Sequence, residues 1–245
     1  MISLYDFYLL YIYPILFKFY NIKVVDNYNI TKLDNSVIFI SKHTSHNYDL
    51  LIGLITISLY IGRTIKGLGH YFIHYACPHY KYFGILTGNK NNADTLIANN
   101  QPIWVIPGGA EEMLIAYNNP SQINWISKSG NYRTGFAKLS KEYNIPIIPV
   151  SCPETEYMVF QPILFMFTYL RFIRLIDYFI TFNKSPKLLY FKMVAVCLSH
   201  FVVIPIPIKL TFTIGKPLLI KEEETIIDFT KRCENELSTL IKKNL

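Results

Sequence analysis

Short apolar runs that end abruptly in polar turns recur along this chain. The first clear one is Val37-Ile38-Phe39-Ile40, which gives way to Ser41-Lys42-His43-Thr44-Ser45-His46-Asn47-Tyr48-Asp49. A β-branched and aromatic run of this kind predicts a buried strand. The apolar stretch from Leu50 onward then predicts a helix, with Asn47 or Asp49 as its cap and its end near Gly62. A second run, Trp104-Val105-Ile106, predicts another buried strand ending in Pro107-Gly108-Gly109-Ala110-Glu111-Glu112. Further strands are expected at 83–88, 145–150 and 209–214, and helices at 91–100, 136–143 and 222–243. The last helix starts acidic and ends in lysines, as the helix dipole favours. Strands alternating with helices at this spacing give an α/β fold with a largely parallel central sheet flanked by helices.

Two regions break that rhythm. Residues 1–20 are nearly all apolar or aromatic, but Asp6, Pro14 and Lys18 interrupt them, and the uncharged stretch falls short of the about 20 residues a spanning helix needs. They are expected to form an interfacial anchor, with core packing as the alternative. From 158 to 208 come two long apolar runs, broken by Gln161, Pro162, His200, Pro205 and Pro207, with Arg171, Arg174, Lys184, Lys187 and Lys192 between them. Shallow, membrane-associating insertion with the cations at headgroups is the expectation. The domain organisation is therefore an apolar membrane anchor at 1–25 and one domain at 26–245, carrying an apolar membrane-associating insertion at about 157–208.

Composition narrows the partners. Half the residues are hydrophobic and 17% charged, with a net charge of +7. The basic residues are scattered and no nucleic-acid-binding signature appears, so an anionic bilayer surface suits the chain better than a nucleic acid. The four cysteines, Cys77, Cys152, Cys197 and Cys233, form no CxxC pair and indicate neither a disulfide framework nor a zinc site. No cleavable signal peptide is evident at the N-terminus.

The candidate chemistry sits at the strand ends. His43 and Asp49 flank a strand-to-helix turn, where the carboxylate could bind one imidazole nitrogen and leave the other as a base. Turn formation and capping are the plainer roles for the same residues. Gly108 and Gly109 would let a ligand approach the backbone, and amides there could donate to an oxyanion. His70 and His74 share a helical spacing, but no acid accompanies them and Pro78 follows at once, so no metal is expected. Serine hydrolysis through Ser41 or Ser45 lacks a G-x-S-x-G elbow.

Taken in order, these boxes resemble the glycerolipid (lysophosphatidic acid, PlsC-like) acyltransferase superfamily, closest to its diacylglycerol-acyltransferase-like branch. The likeness rests on His43 through Asp49, Pro107-Gly108-Gly109-Ala110-Glu111-Glu112, Arg133-Thr134-Gly135-Phe136-Ala137, Ile145-Pro146-Ile147-Ile148-Pro149-Val150 and Gly215-Lys216-Pro217. It covers 36–153 and about 205–243. The resemblance implies a catalytic pair, His43 as base and Asp49 as its orienting acid, with His46, Pro107, Gly108, Gly109, Glu112 and Arg133 binding substrate. Five residues separate His43 from Asp49, one more than in the family's usual box, and His46 stands as an alternative base. Phosphate-acceptor members carry Glu-Gly-Thr-Arg where this chain has Gly108-Gly109-Ala110-Glu111, so an acid replaces the arginine thought to hold the acceptor's phosphate.

The implied function is a membrane-associated O-acyltransferase moving a fatty acyl group from acyl-CoA to a neutral mono- or diacylglycerol. Lysophosphatidic acid or another lysophospholipid as acceptor, or an inactive lipid-binding protein of the same fold, are the alternatives. Acyl-CoA is a co-substrate and no cofactor is required. The implied partners are acyl-CoA, a glycerolipid and the bilayer, and the implied location is the endoplasmic reticulum membrane with the site facing the cytosol. Lys42, Lys66, Lys128 and Arg133 are the candidates for the CoA phosphates. Nothing in the sequence fixes an oligomeric state.

Overall fold

The computed structural model describes residues 8–46, 48–70, 78–109, 112, 116, 121–127, 129–162 and 203–244. They divide into two compact units, Met1–Glu156 with Lys209–Leu245, and Tyr157–Ile208.

The larger unit is built on a seven-stranded sheet. Its strands are β1 (Lys23–Asp26), β2 (Ile38–Ile40), β3 (Lys66–Gly69), β4 (Ile85–Thr87), β5 (Ile103–Val105), β6 (Ile147–Ser151) and β9 (Thr211–Ile214), in the order β1-β9-β6-β2-β5-β3-β4. Five neighbouring strands from β6 to β4 are parallel. β9 runs antiparallel to β6, and β1 pairs parallel with β9. Helices are α1 (Tyr13–Phe19), α2 (Tyr48–Ile61), α3 (Lys90–Ala98), α4 (Gly135–Tyr143) and α5 (Ile226–Asn244). A mostly parallel α/β sheet is thus what the alternating pattern specified.

Alternation within β2 separates the two faces of the sheet. Ile38 and Ile40 join Ile103, Ile147, Trp125 and Phe136 in one core with α5. That helix contributes Phe229, Cys233, Leu237 and Ile241, a four-residue repeat that lays one apolar stripe on the sheet. Phe39 points the other way and stacks on Trp104, with ring centroids 5.7 Å apart. α2 covers that side, and Gly53 brings its backbone onto the rings of Trp104 and Phe212, where an added Cβ would lie 3.2 and 3.3 Å away. Because α2 is buried nearly all round, it reads as a continuous apolar run rather than an amphipathic one.

Several expectations shift. The anchor boundary set at residue 25 falls inside β1, because Lys23 to Asp26 complete the sheet edge against β9. Residues 8–22 divide their surface. Tyr13, Tyr20 and Ile22 are buried, with the Tyr13 hydroxyl donating to Thr56 Oγ1 at 3.1 Å, while Leu10, Tyr11, Ile15, Phe17 and Phe19 are exposed. Among the described residues no helix is long and apolar enough to cross a membrane. β3, Lys-Gly-Leu-Gly, was not foreseen as a strand. Gly67 suits the close packing there, since a Cβ would meet Ile85 and Leu54 at 3.1 and 3.2 Å. α2 begins at Tyr48, so Asp49 lies within its first turn instead of capping it.

In the smaller unit, β7 (Val159–Phe160) pairs antiparallel with β8 (Ile204–Pro205), and Met158 and Gln161 are buried. Most of the expected membrane-associating insertion, and His74 and Cys77, lie outside the described residues.

Phe229 is fully buried between α5 and the sheet. Phe229→Ala is expected to lower unfolding free energy by about 3–5 kcal/mol, read as a shift in the urea midpoint at unchanged slope.

Candidate active site

The carboxyl ends of β2, β5 and β6 adjoin one another in the sheet, the edge where open parallel α/β folds place their ligands. The turn after β2 carries His43, which is 5% exposed. Its main chain is held on both sides. The amide donates to Glu112 Oε2 at 2.8 Å, and the carbonyl accepts from Lys42 Nζ at 2.8 Å.

Asp49 reaches back from the first turn of α2. Its Oδ2 accepts the Thr44 amide at 3.2 Å and lies 3.8 Å from His43 Nδ1. The extra residue between His43 and Asp49 is absorbed because the helix starts at Tyr48 and the chain folds back to bring Thr44 N onto the carboxylate. His43 Nδ1 and Asp49 Oδ1 are buried, and neither has a hydrogen-bond partner among the described residues. At 3.8 Å the pair is poised rather than bonded, and a movement of about 1 Å would close it, as is common before substrate binds. Burial drives the His43 pKa down, the Asp49 charge opposes it, and Lys42 and His46 add to the depression. The net direction is down, so the ring is neutral at neutral pH and has a lone pair to offer.

His46, the alternative base, is wired differently. Nε2 donates to the Thr155 carbonyl at 2.8 Å, and Nδ1 stands 3.4 Å from Thr44 Oγ1 as its acceptor. Both nitrogens are spoken for within the protein, so His46 braces the turn against the segment after β6. The same geometry gives it no ring atom for the substrate-binding role expected of it.

The turn after β5 brings Pro107, Gly108 and Gly109 beside this site, and its details differ from expectation. The Gly109 amide donates to the Ile106 carbonyl at 3.2 Å, which removes it as an oxyanion donor. Gly109 has φ +55°, and a Cβ there would meet Arg133 Nη1 at 2.6 Å. Arg133 Nη1 donates to the Gly108 carbonyl at 3.0 Å, fixing the turn from the hairpin closed by Ile126 and Tyr132. Glu112 has no exposed surface, and both its oxygens bind backbone amides, Oε2 that of His43 and Oε1 that of Asn124 at 2.9 Å. Neither oxygen is placed to take an acceptor hydroxyl. Burial pushes its pKa up to about 7 against the two amides and Lys42, which favour the anion, with Asp49 adding to the rise. Ala110, Glu111 and Lys128 lie outside the described residues.

Sequence reasoning missed Glu156. It follows β6, its Oε1 accepts the Ser45 amide at 3.2 Å, and its Oε2 lies 3.9 Å from Lys42 Nζ. Burial raises its pKa, while Ser45 and Lys42 oppose the shift. An acid just past a buried strand end was the only signal. Lys42 is committed to this acid and to the His43 carbonyl, which removes it from the candidates for CoA phosphates. A cavity of about 40 Å³ is lined by Lys42, Asp49, Trp104, Ser151, Cys152 and Glu156.

The ionisation of Glu112 leaves a stability signature. A carboxyl whose folded pKa is raised above its unfolded value holds a proton that the unfolded chain has released, here between about 4.5 and about 7. Stability from this group is therefore greatest below that window and falls as pH rises through it. Glu112→Gln removes the slope, so the wild type is expected to lose about 2–3 kcal/mol relative to the variant between pH 4.5 and 8, measured by urea unfolding.

No protein-family model matches the sequence, and no curated protein matches it. Among solved structures the fold is similar to that of the 1-acyl-sn-glycerophosphate (LPA) acyltransferase PlsC from Thermotoga maritima, with a TM-score of 0.51 and 14% identity over 96% of this chain and 81% of that one. The fold is thus PlsC-like, in agreement with the resemblance carried by the sequence boxes.

Proposed function

We propose that this protein is an O-acyltransferase that moves a fatty acyl group from a thioester, acyl-CoA, to a lipid hydroxyl. The observation that carries the reading is the buried, neutral His43 with Nδ1 facing Asp49 Oδ2 at the carboxyl end of a parallel strand. The PlsC-like fold supports it.

In the proposed reaction His43 Nε2 takes the acceptor's hydroxyl proton as the oxygen attacks the thioester carbonyl. Asp49 closes onto Nδ1–H and stabilises the imidazolium. The tetrahedral intermediate collapses to the ester, and the departing thiolate recovers the proton from Nε2. The substrate's own alcohol is the nucleophile, so no covalent enzyme intermediate is needed. The catalytic pair and the thioester supply the chemistry without a cofactor.

A neutral acylglycerol is the acceptor favoured by the sequence, because Glu111 stands where phosphate-acceptor members place arginine and an acid repels a phosphate. Lysophosphatidic acid is the second reading, favoured by the substrate named for the Thermotoga maritima structure. The exposed apolar side chains Leu10, Tyr11, Ile15, Phe17 and Phe19 support membrane attachment. An endoplasmic reticulum membrane with the site on its cytosolic side completes the proposal.

The test is acyl transfer by purified, detergent-solubilised protein from labelled oleoyl-CoA to monoacylglycerol, diacylglycerol, lysophosphatidic acid and lysophosphatidylcholine. Transfer to the neutral acceptors is expected, with a loss of at least a thousandfold in His43→Ala and a smaller loss in His46→Gln. Transfer confined to phosphate-bearing acceptors would replace the neutral-acceptor reading, and full activity in His43→Ala would remove His43 as the base. No transfer by folded protein to any acceptor would sink the enzyme reading.

A further inference from the structure

Glu112 stands out among the ionisable groups in the site, because it is wholly buried, bears a carboxylate and, among the described residues, touches no side-chain cation at hydrogen-bond distance. Its two oxygens divide between two separate stretches of backbone, one the amide of the catalytic histidine and the other Asn124. A third stretch is locked to it sterically. A Cβ on residue 108 would overlap the Glu112 side chain outright, so its carboxylate occupies the space that a side chain at 108 would fill. The Glu112 amide donates to the Gly108 carbonyl at 3.3 Å, and that carbonyl also accepts from Arg133. One buried carboxylate thereby joins the turn after β2, the turn after β5 and the segment entering Trp125.

The alternatives for a group so placed are few. It has no surface through which to bind substrate. Filling space does not need a charge, and a buried unpaired carboxylate costs more than an apolar side chain of the same volume. What a carboxylate offers that glutamine or leucine cannot is two acceptors aimed at two N–H donors, both stronger when the group is ionised.

We propose that Glu112 is the positioning residue of the catalytic base: by clamping the amides of His43 and Asn124 together it fixes the imidazole's approach to Asp49, so that the rate of transfer, and not substrate binding, depends on it. The proposal rests on His43 acting as the base. The clamp is strongest in the anion and weakens on protonation, when one oxygen becomes a hydroxyl without an acceptor. The charged groups facing it are Lys42, which favours the anion, and Asp49, which disfavours it. Arg133 acts on the same turn through the Gly108 carbonyl, and the His43 ring is neutral. Protonation of Glu112 near pH 7 therefore comes before protonation of His43, whose own pKa is lowered below the usual imidazole value.

Glu112→Gln keeps volume and leaves one amide facing an NH₂ group. The experiment measures kcat and KM for oleoyl-CoA against pH, and residue-resolved amide exchange at His43 and Asn124, in wild type and variant. The expected result is a kcat at least tenfold lower with KM within twofold. The acidic limb of the profile should move from about pH 7 in the wild type to below 6.5 in the variant. Exchange at one or both amides should be at least tenfold faster in the variant. Unchanged kcat, or a loss confined to KM, overturns the proposal. So does an acidic limb that stays in place.

If the variant does not fold, the wild type decides. Exchange at the two amides, corrected for its intrinsic pH dependence, should accelerate as pH falls through about 7, and a flat profile overturns the clamp. Should the wild type transfer no acyl group to any acceptor, the acyltransferase reading fails. Faster exchange in the variant then still establishes the clamp, and unchanged exchange removes it as well.

Discussion

A catalytic histidine on a loop must be held by its backbone, because its ring has to stay free for chemistry. For His43, the base in the proposed reaction, that constraint is met by hydrogen bonds to the main chain of residues 43–45. Glu112 takes the His43 amide, Lys42 donates to the His43 carbonyl, Asp49 takes the Thr44 amide and Glu156 takes the Ser45 amide. Three acids from three parts of the chain thus hold three successive amides. The sheet order explains how they meet, since β5 and β6 both adjoin β2, and the segments after β5 and β6 supply Glu112 and Glu156.

Holding a loop with carboxylates has an electrostatic consequence. The side chains of Asp49, Glu112 and Glu156 are all largely buried, and Lys42 acts on both Glu112 and Glu156. Burial is the main cause of the raised pKa values of Glu112 and Glu156, and the charge of Asp49 adds to the rise in each. Backbone amides offset part of the cost because a carboxylate accepting N–H bonds needs less water. Cys152 shares the neighbourhood, and burial together with Glu154 raises its thiol well above the ordinary range. It is therefore a protonated wall of the cavity and no nucleophile.

Much of the scaffold was legible because its elements carry their own periodicity. β2, β5 and β6 are short, mostly apolar runs bounded by turn residues, β9 alternates threonine with Phe212 and Ile214, and α5 repeats its core residues every fourth position. β3 was hidden because Gly67 and Gly69 empty the pattern of side chains, and the reason for Gly67 lies in Leu54 and Ile85, distant in sequence. β1 was hidden because its partner, β9, is almost two hundred residues away, and nothing local distinguishes it from a link. In the site, His43 and Asp49 were visible as a pair, and the extra residue between them was resolved by the helix starting earlier than Asp49. Glu112 was noticed as ordering its turn or binding an acceptor hydroxyl, but a sequence that shows an acid after two glycines does not show that both its oxygens face backbone amides. Asn124 left no signal, because it contributes only its main chain.

The two histidines of the turn show why wiring separates roles that composition leaves equal. Both are buried, both have lowered pKa values with desolvation as the leading cause, and Asp49 opposes the shift in each. Desolvation alone would make either a neutral imidazole. His46, however, has an acceptor for Nε2–H in the Thr155 carbonyl and a donor for Nδ1 in Thr44, which fixes its tautomer and fills both its nitrogens. His43 has its fixed partners on the main chain and its Nδ1 open toward Asp49. A proton arriving on His46 would have to displace the Thr44 hydroxyl. A proton arriving on His43 Nε2 would instead draw Asp49 and Nδ1–H together across their present 3.8 Å. The second process gains an interaction as it takes up charge, and that asymmetry, rather than burial or sequence position, favours His43 as the base of the proposed reaction.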